Sequence, residues 1–239
     1  ADLFIYNGAG FEVWADKAIR MLDENKTTVL QTTEQLDLHM DEKGSDHDET
    51  DHHAHDGHDH GPLDPHVWLD PVLAKQQATM IADALIEIDP EHRHVYNTNL
   101  QQLTDRFDEL DKALQDVTIH AERKEIVVSH AAFGYLTQRY GLEQVPIMGL
   151  STSEEPSQKE LKNLIDHVKQ IEVPYIMFEP LTDTKIAEVV KRETGVEALT
   201  LNPLENLTKE QLERGEDYFS IMEQNIQNLA KALGSKGGK

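Results

Sequence analysis

Apolar and polar positions along this chain follow two periods, and the period changes at identifiable residues. Leu3-Phe4-Ile5-Tyr6 is a strand-like run closed by the turn pair Asn7-Gly8. A helical pattern follows over about Glu12 to Leu22, and Thr28-Val29-Leu30 is a second short apolar run. From about Asp37 to Pro65 no apolar periodicity survives, so this segment reads as a flexible loop. After Pro71 a helix runs to about Ile88, with Ala78, Ile81, Ala82 and Leu85 on one face, and Asp89-Pro90 interrupts it. Val95, Leu100, Leu103, Phe107, Leu110, Leu114 and Val117 then keep helical spacing. They predict one amphipathic helix of about 25 residues, roughly 37 Å long.

The remainder alternates strand and helix. Strands are predicted at Glu125–Ser129, Val145–Gly149, Tyr175–Phe178 and Ala198–Leu201, and helices at Ala131–Tyr140, Ser157–Ile171, Asp183–Thr194 and Gly215–Leu233. Strand-helix units with short connections imply a parallel sheet covered by helices. The fold class read from the pattern is α/β: two α/β lobes with parallel sheets, joined by one long helix, the first lobe incomplete. The predicted organisation is residues 1–89 for a partial first lobe, carrying a His/Asp-rich loop at 37–65. The linking helix follows at 90–118 and the second lobe at 119–239. The chain starts without Met and runs from Ala1-Asp2 straight into a strand, as a sequence cut from a longer one would.

Charge and composition narrow the function. The 239 residues include 45 acids against 22 bases, a formal net charge of -23. Such a chain repels nucleic acid and anionic lipid and attracts cations. With no cysteine, a transition-metal site must use His, Asp, Glu and water, a donor set that suits zinc or manganese better than copper(I). No apolar run approaches the roughly 20 residues of a membrane span.

Three features carry candidate chemistry. The loop interleaves His47, His52, His53, His55, His58 and His60 with Asp46, Asp48, Asp51, Asp56 and Asp59. It reads either as a weak metal collector or as a merely solvated segment. The segment Asp64-Pro65-His66-Val67-Trp68-Leu69-Asp70-Pro71 reads as extended between its prolines, with His66 and Trp68 on one side by alternation. Asp70 and Pro71 fit the cap and first position of a helix. Finally, His130, Glu179 and Glu205 lie at or just beyond the ends of three predicted strands, where open α/β sheets bind ligands. A strand-end His can equally be structural. His92, His94, His120 and His167 read as surface residues, and Met148 and Met177 as core. Catalytic signatures are missing: there is no His-Glu-x-x-His pair, no Gly-x-Ser-x-Gly elbow and no phosphate loop.

Taken in order, several segments resemble one family. They are Ala1-Asp2-Leu3, Tyr6-Asn7-Gly8, Glu12-Val13-Trp14, the His-Asp loop, the segment from Asp64 to Pro71, and Ser129-His130-Ala131-Ala132-Phe133-Gly134-Tyr135-Leu136. Phe178-Glu179-Pro180 and Leu201-Asn202-Pro203-Leu204-Glu205 also fit. Together they resemble the metal-binding solute receptors of bacterial ABC importers, in the zinc-uptake (ZnuA-like) branch. The resemblance implies two lobes joined by a rigid helix, with metal in the inter-lobe cleft, held by His66 and His130. Glu205 matches best a fourth ligand position that varies in the family, where water can stand instead. Glu179 matches a recurrent position without a ligand role. Manganese-carrying relatives have a carboxylate where His130 stands, so zinc is expected, with manganese the alternative. The resemblance further implies a monomeric, extracytoplasmic receptor, periplasmic or lipid-anchored, that delivers zinc to an ABC-transporter permease and is not an enzyme. A surface metal buffer or adhesion protein, and a zinc hydrolase, are the competing readings. Family members carry another His-bearing segment ahead of the opening strand. Its absence here implies a site short of its first ligand, an expectation that full receptor affinity would refute.

Overall fold

The computed structural model describes residues 1–38, 63–150, 157–180 and 185–236. They divide into two compact units. One comprises Ala1–Val67 with Lys75–Leu103, the other Trp68–Ala74 with Thr104–Lys239.

In the first unit, β1 (Leu3–Tyr6) and β2 (Thr28–Gln31) pair in parallel, with Leu3 opposite Thr28 and Tyr6 opposite Gln31. The connection between them holds α1 (Ala15–Ile19), shorter than its sequence pattern predicts. The reason is Glu12, whose carboxylate accepts the backbone N–H groups of Asn7 (2.9 Å) and Gly8 (3.0 Å) and so belongs to the turn. Gly8 sits at φ +89°, and a Cβ there would meet the Gln31 side chain at 2.5 Å, so only glycine fits. Most of α2 (Pro71–Ile88) and the start of α3 (Arg93–Ile119) complete this unit.

Helix α3 is the long helix that the spacing predicts, 27 residues in all. Its apolar stripe is unevenly used. Phe107, Leu110, Leu114 and Val117 are buried, whereas Val95 and Leu103 are 40% and 38% exposed. The division between units falls at Leu103/Thr104, where this burial begins.

The second unit is built on four parallel strands in the order β4-β3-β5-β6: β3 (Glu125–His130), β4 (Glu143–Met148), β5 (Tyr175–Phe178) and β6 (Glu197–Thr200). The connecting helices are α4 (Gly134–Arg139), α5 (Gln158–Ile171) and α6 (Lys185–Thr194). β3 is central, and Ile126 through His130 are all buried; its apolar run Ile126–Val128 does not alternate with polar residues, as in a strand covered on both faces. Val127, Val145, Ile147, Val168, Val173, Ile176 and Val190 form one core, against which Leu161, Leu164 and Ile165 of α5 pack. Met148 and Met177 are buried at 8% and 1% exposure, as core residues. α4 starts later than its pattern suggests. Ala131 N–H is taken by Gly149 O (3.0 Å) and Ala132 N–H by His130 O (2.9 Å), which holds the chain out of a helix just past the strand. Two helices close the unit, α7 (Lys209–Glu213), which the apolar pattern misses, and α8 (Tyr218–Ala232). Among the described residues no helix is long and apolar enough to cross a membrane.

Candidate metal centre

The strand order of the second unit fixes where chemistry can sit. From β3 the chain moves to β4 on one side, then returns to β5 on the other, so the order reverses between β3 and β5. Open parallel sheets bind ligands at such a switch point, beyond the carboxyl ends of the strands. His130 is the last residue of β3, and Glu179 directly follows β5. The two meet there: His130 Nδ1 and Glu179 Oε1 are 2.5 Å apart, with side chains 1% and 5% exposed. Across the ring, Glu205 Oε1 stands 3.5 Å from His130 Nε2. A buried imidazole is thus bracketed by two carboxylates.

Burial alone disfavours the imidazolium, but Glu179 and Glu205 outweigh it and push the His130 pKa up to about 9. Without metal, a proton therefore holds this place at neutral pH. A divalent cation on Nε2 would displace that proton and satisfy the same two carboxylates, with Glu179 orienting the ring and Glu205 within reach of the metal.

His66, in the first unit, has the same kind of support. Its Nδ1 lies 2.8 Å from Asp64 Oδ1, which also accepts the His66 backbone N–H at 2.9 Å. Both residues are buried. A carboxylate on Nδ1 selects the tautomer whose Nε2 carries the lone pair. The peptide ahead of His66 is tied down as well. Asn7 Nδ2 donates to Pro65 O (2.9 Å), and Gln77 Nε2 donates to both Asn7 Oδ1 (2.9 Å) and Thr32 Oγ1 (2.8 Å).

The alternation expected around His66 does not hold, because Val67–Leu69 form a turn of 3-10 helix. The cap expected at Asp70 is present. Its Oδ1 accepts the N–H groups of Val72 (2.8 Å) and Leu73 (3.4 Å), and its Oδ2 pairs with Arg139 Nε. Burial pushes the Asp70 carboxyl up, with Arg139 pulling it partly back.

His92, His94, His120 and His167 are exposed. His92 is held by Asp89 and His120 by Asp116, each within one helical turn. The loop residues His47, His52, His53, His55, His58 and His60 lie outside the described residues. Sequence reasoning missed the roles of Asp64 and Glu179 as partners of the two imidazole Nδ1 atoms. For Asp64 a signal existed, an acid two residues before His66. For Glu179, 49 residues from His130 in sequence, only its strand-end position pointed there.

A parallel α/β unit with a carboxylate-bracketed histidine at its switch point has the make-up of a cation-binding α/β unit. Over residues 1–232 the chain matches the family described as zinc-uptake complex component A, periplasmic, and it belongs to that family. It is 37% identical over 238 residues to the zinc-binding lipoprotein AdcA of Streptococcus pneumoniae (strain ATCC BAA-255 / R6), covering 99% of this chain and 47% of that protein. The chain thus spans about half the length of the curated relative. Among solved structures it resembles the Zn(II)-bound ZnuA-like domain of Streptococcus pneumoniae AdcA, at TM-score 0.77 and 34% identity, covering 98% of this chain and 80% of that one. It also resembles the laminin-binding protein Lmb of Streptococcus agalactiae, described as bifunctional with adhesin and metal-transporting activity, at TM-score 0.77 and 31% identity, covering 98% and 80%.

Proposed function

We propose that this chain captures zinc outside the cytoplasmic membrane and hands it to an ABC-transporter permease, with His66, His130 and Glu205 as protein ligands. Zinc is the cargo, not a resident cofactor, and no reaction is catalysed on it. The observation that carries the reading is His130, buried at the switch point with Glu179 on Nδ1 and Glu205 facing Nε2. His66 is its counterpart, with Asp64 on its own Nδ1. Chain continuity supports their joint use: His66 precedes Trp68 by two residues, and Trp68 Nε1 donates to Pro203 O, two residues before Glu205. Two imidazoles and a carboxylate are a donor set that suits zinc, with manganese the alternative. Residues 1–89 and 119–239 then act as the two lobes and 90–118 as the linking helix. The acidic His loop would act as a weak collector of zinc.

The test is zinc titration against a competing chelator, with elemental analysis, on the chain and on its His66→Ala and His130→Ala variants. Each variant should lose the tight zinc equivalent; undiminished binding in both would refute the ligand set. Delivery is tested separately, by growth of zinc-uptake-deficient cells under chelation. Restored growth supports a transport receptor. Zinc binding without rescue favours the second reading, a surface metal buffer or adhesin, for which the likeness to Lmb speaks.

A further inference from the structure

The backbone that delivers Glu205 is held far more tightly than a strand-to-helix connection requires. Leaving β6, Asn202, Pro203 and Leu204 precede Glu205, and each backbone polar group from Asn202 N to Leu204 N is matched by a side chain. Asn225 of α8, 3% exposed, accepts the Asn202 N–H on Oδ1 and donates from Nδ2 to Asn202 O, both at 2.8 Å. Pro203 has no N–H to satisfy, and its carbonyl accepts Trp68 Nε1–H at 2.8 Å. The Leu204 N–H is taken by Asn202 Oδ1 at 2.8 Å. Trp68 is itself fixed by Tyr218 Oη, which donates to its carbonyl at 2.7 Å.

This pinning holds a conformation that the sequence would otherwise avoid. Leu204 sits at φ +58°, in the left-handed region that branched side chains rarely occupy. Asn202 Nδ2 is buried with no hydrogen-bond partner among the described residues, an uncompensated desolvation. A connection serving only to join β6 to the next helix could relax out of both. The tension is resolved if the position of the next residue matters. Glu205 is a third exposed, at 3.5 Å from His130 Nε2, so its placement depends on the backbone behind it.

We propose that Asn225 and Trp68 are positioning residues that hold the Asn202–Leu204 backbone so that Glu205 is set for zinc before zinc arrives. This rests on the reading of Glu205 as a ligand. A preset carboxylate binds zinc without first ordering its own loop, and slackening either anchor returns that cost to the binding step.

The experiment measures zinc affinity by chelator competition for Asn225→Ala and Trp68→Phe, each alone and combined with Glu205→Gln. Asn225→Ala should weaken zinc about tenfold, and Trp68→Phe, which removes the indole N–H but keeps an aromatic ring, about three- to fivefold. In the Glu205→Gln background neither should weaken zinc by more than about twofold further, because the ligand they position is gone. Equal losses in both backgrounds would show a general structural role and overturn the proposal, as would wild-type affinity in Trp68→Phe. Wild-type affinity in Glu205→Gln alone would remove Glu205 from the ligand set and overturn both this proposal and that part of the functional reading. If Asn225→Ala does not fold, the milder Trp68→Phe decides.

Discussion

Glu179→Gln tests the electrostatics of the His130 site most directly. Glutamine keeps an acceptor for His130 Nδ1–H but removes the charge from a contact of 2.5 Å between two buried side chains. Two opposing effects follow. A carboxylate on the far nitrogen makes an imidazole a better metal ligand, and losing such a partner typically weakens metal binding about 10- to 100-fold. Together with Glu205, the same carboxylate raises the His130 pKa, which stands at about 9, and so strengthens the proton as a competitor. With that pKa, roughly one imidazole in a hundred is unprotonated at pH 7, so apparent zinc affinity lies about 100-fold below its limit above pH 9. The sign is that of a raised pKa. Paired imidazolium stabilises the metal-free fold fully below pH 6.5, and this is lost as pH rises through about 9, where zinc no longer has a proton to displace. Glu179→Gln should lower that pKa. The wild-type protein should therefore gain about tenfold in zinc affinity from pH 7 to 8 and about fivefold from pH 8 to 9, and the variant distinctly less. The variant's deficit should be largest near pH 9 and shrink toward pH 7. Chelator competition across this range reads both curves. Parallel curves, with the same gap at pH 7 and pH 9, would refute the account of His130.

Other substitutions probe the frame. Arg139→Met leaves Asp70 buried opposite no cation and should cost about 2–3 kcal/mol in urea unfolding. That is below the range for a fully buried pair, because Arg139 is about a third exposed; a loss under about 1 kcal/mol would show the pair to be incidental. In α3, Leu114→Ala at 0% exposure should cost about 3 kcal/mol and Leu103→Ala at 38% under about 1 kcal/mol, as read by the same melts. Equal costs would contradict the uneven burial of that helix. Deleting residues 46–60 should leave tight zinc affinity intact while slowing uptake when zinc is scarce. Loss of tight binding would make the loop part of the primary site.

Much of the second unit was legible because its strands are short apolar runs bounded by Gly, Pro or charged residues. Tyr175–Phe178 falls where the pattern puts it, and α3 follows from its spacing alone. Element ends were less legible, since tertiary hydrogen bonds set them. Glu12 is drawn into the turn at Asn7-Gly8, and Ala131 is captured by Gly149 O. α7 was overlooked for want of an apolar stripe, although its capping box, Thr208 with Gln211, was written in the sequence. Of the proposed site, His130 and Glu205 were singled out from strand ends, whereas His66 stood out through its Pro-flanked segment and the family resemblance. Glu179 also stood at a strand end, but neither its pairing with His130 nor the part played by Asn225 could be found this way. Glu179 reaches His130 across 49 positions and Asn225 reaches Asn202 across 23, distances over which no local period carries information.

The bond from Trp68 to Pro203 also gives the protein a built-in optical and magnetic probe. The chain has two tryptophans. Trp14 is 57% exposed, while Trp68 offers its indole proton to a carbonyl two residues from Glu205. Any displacement of that loop changes the length of one hydrogen bond, and with it one indole proton resonance and one emission maximum. Trp14, in the other unit, serves as the reference signal in the same spectrum. Movement of the Glu205 loop on addition of zinc can therefore be followed on the unlabelled, unmodified chain.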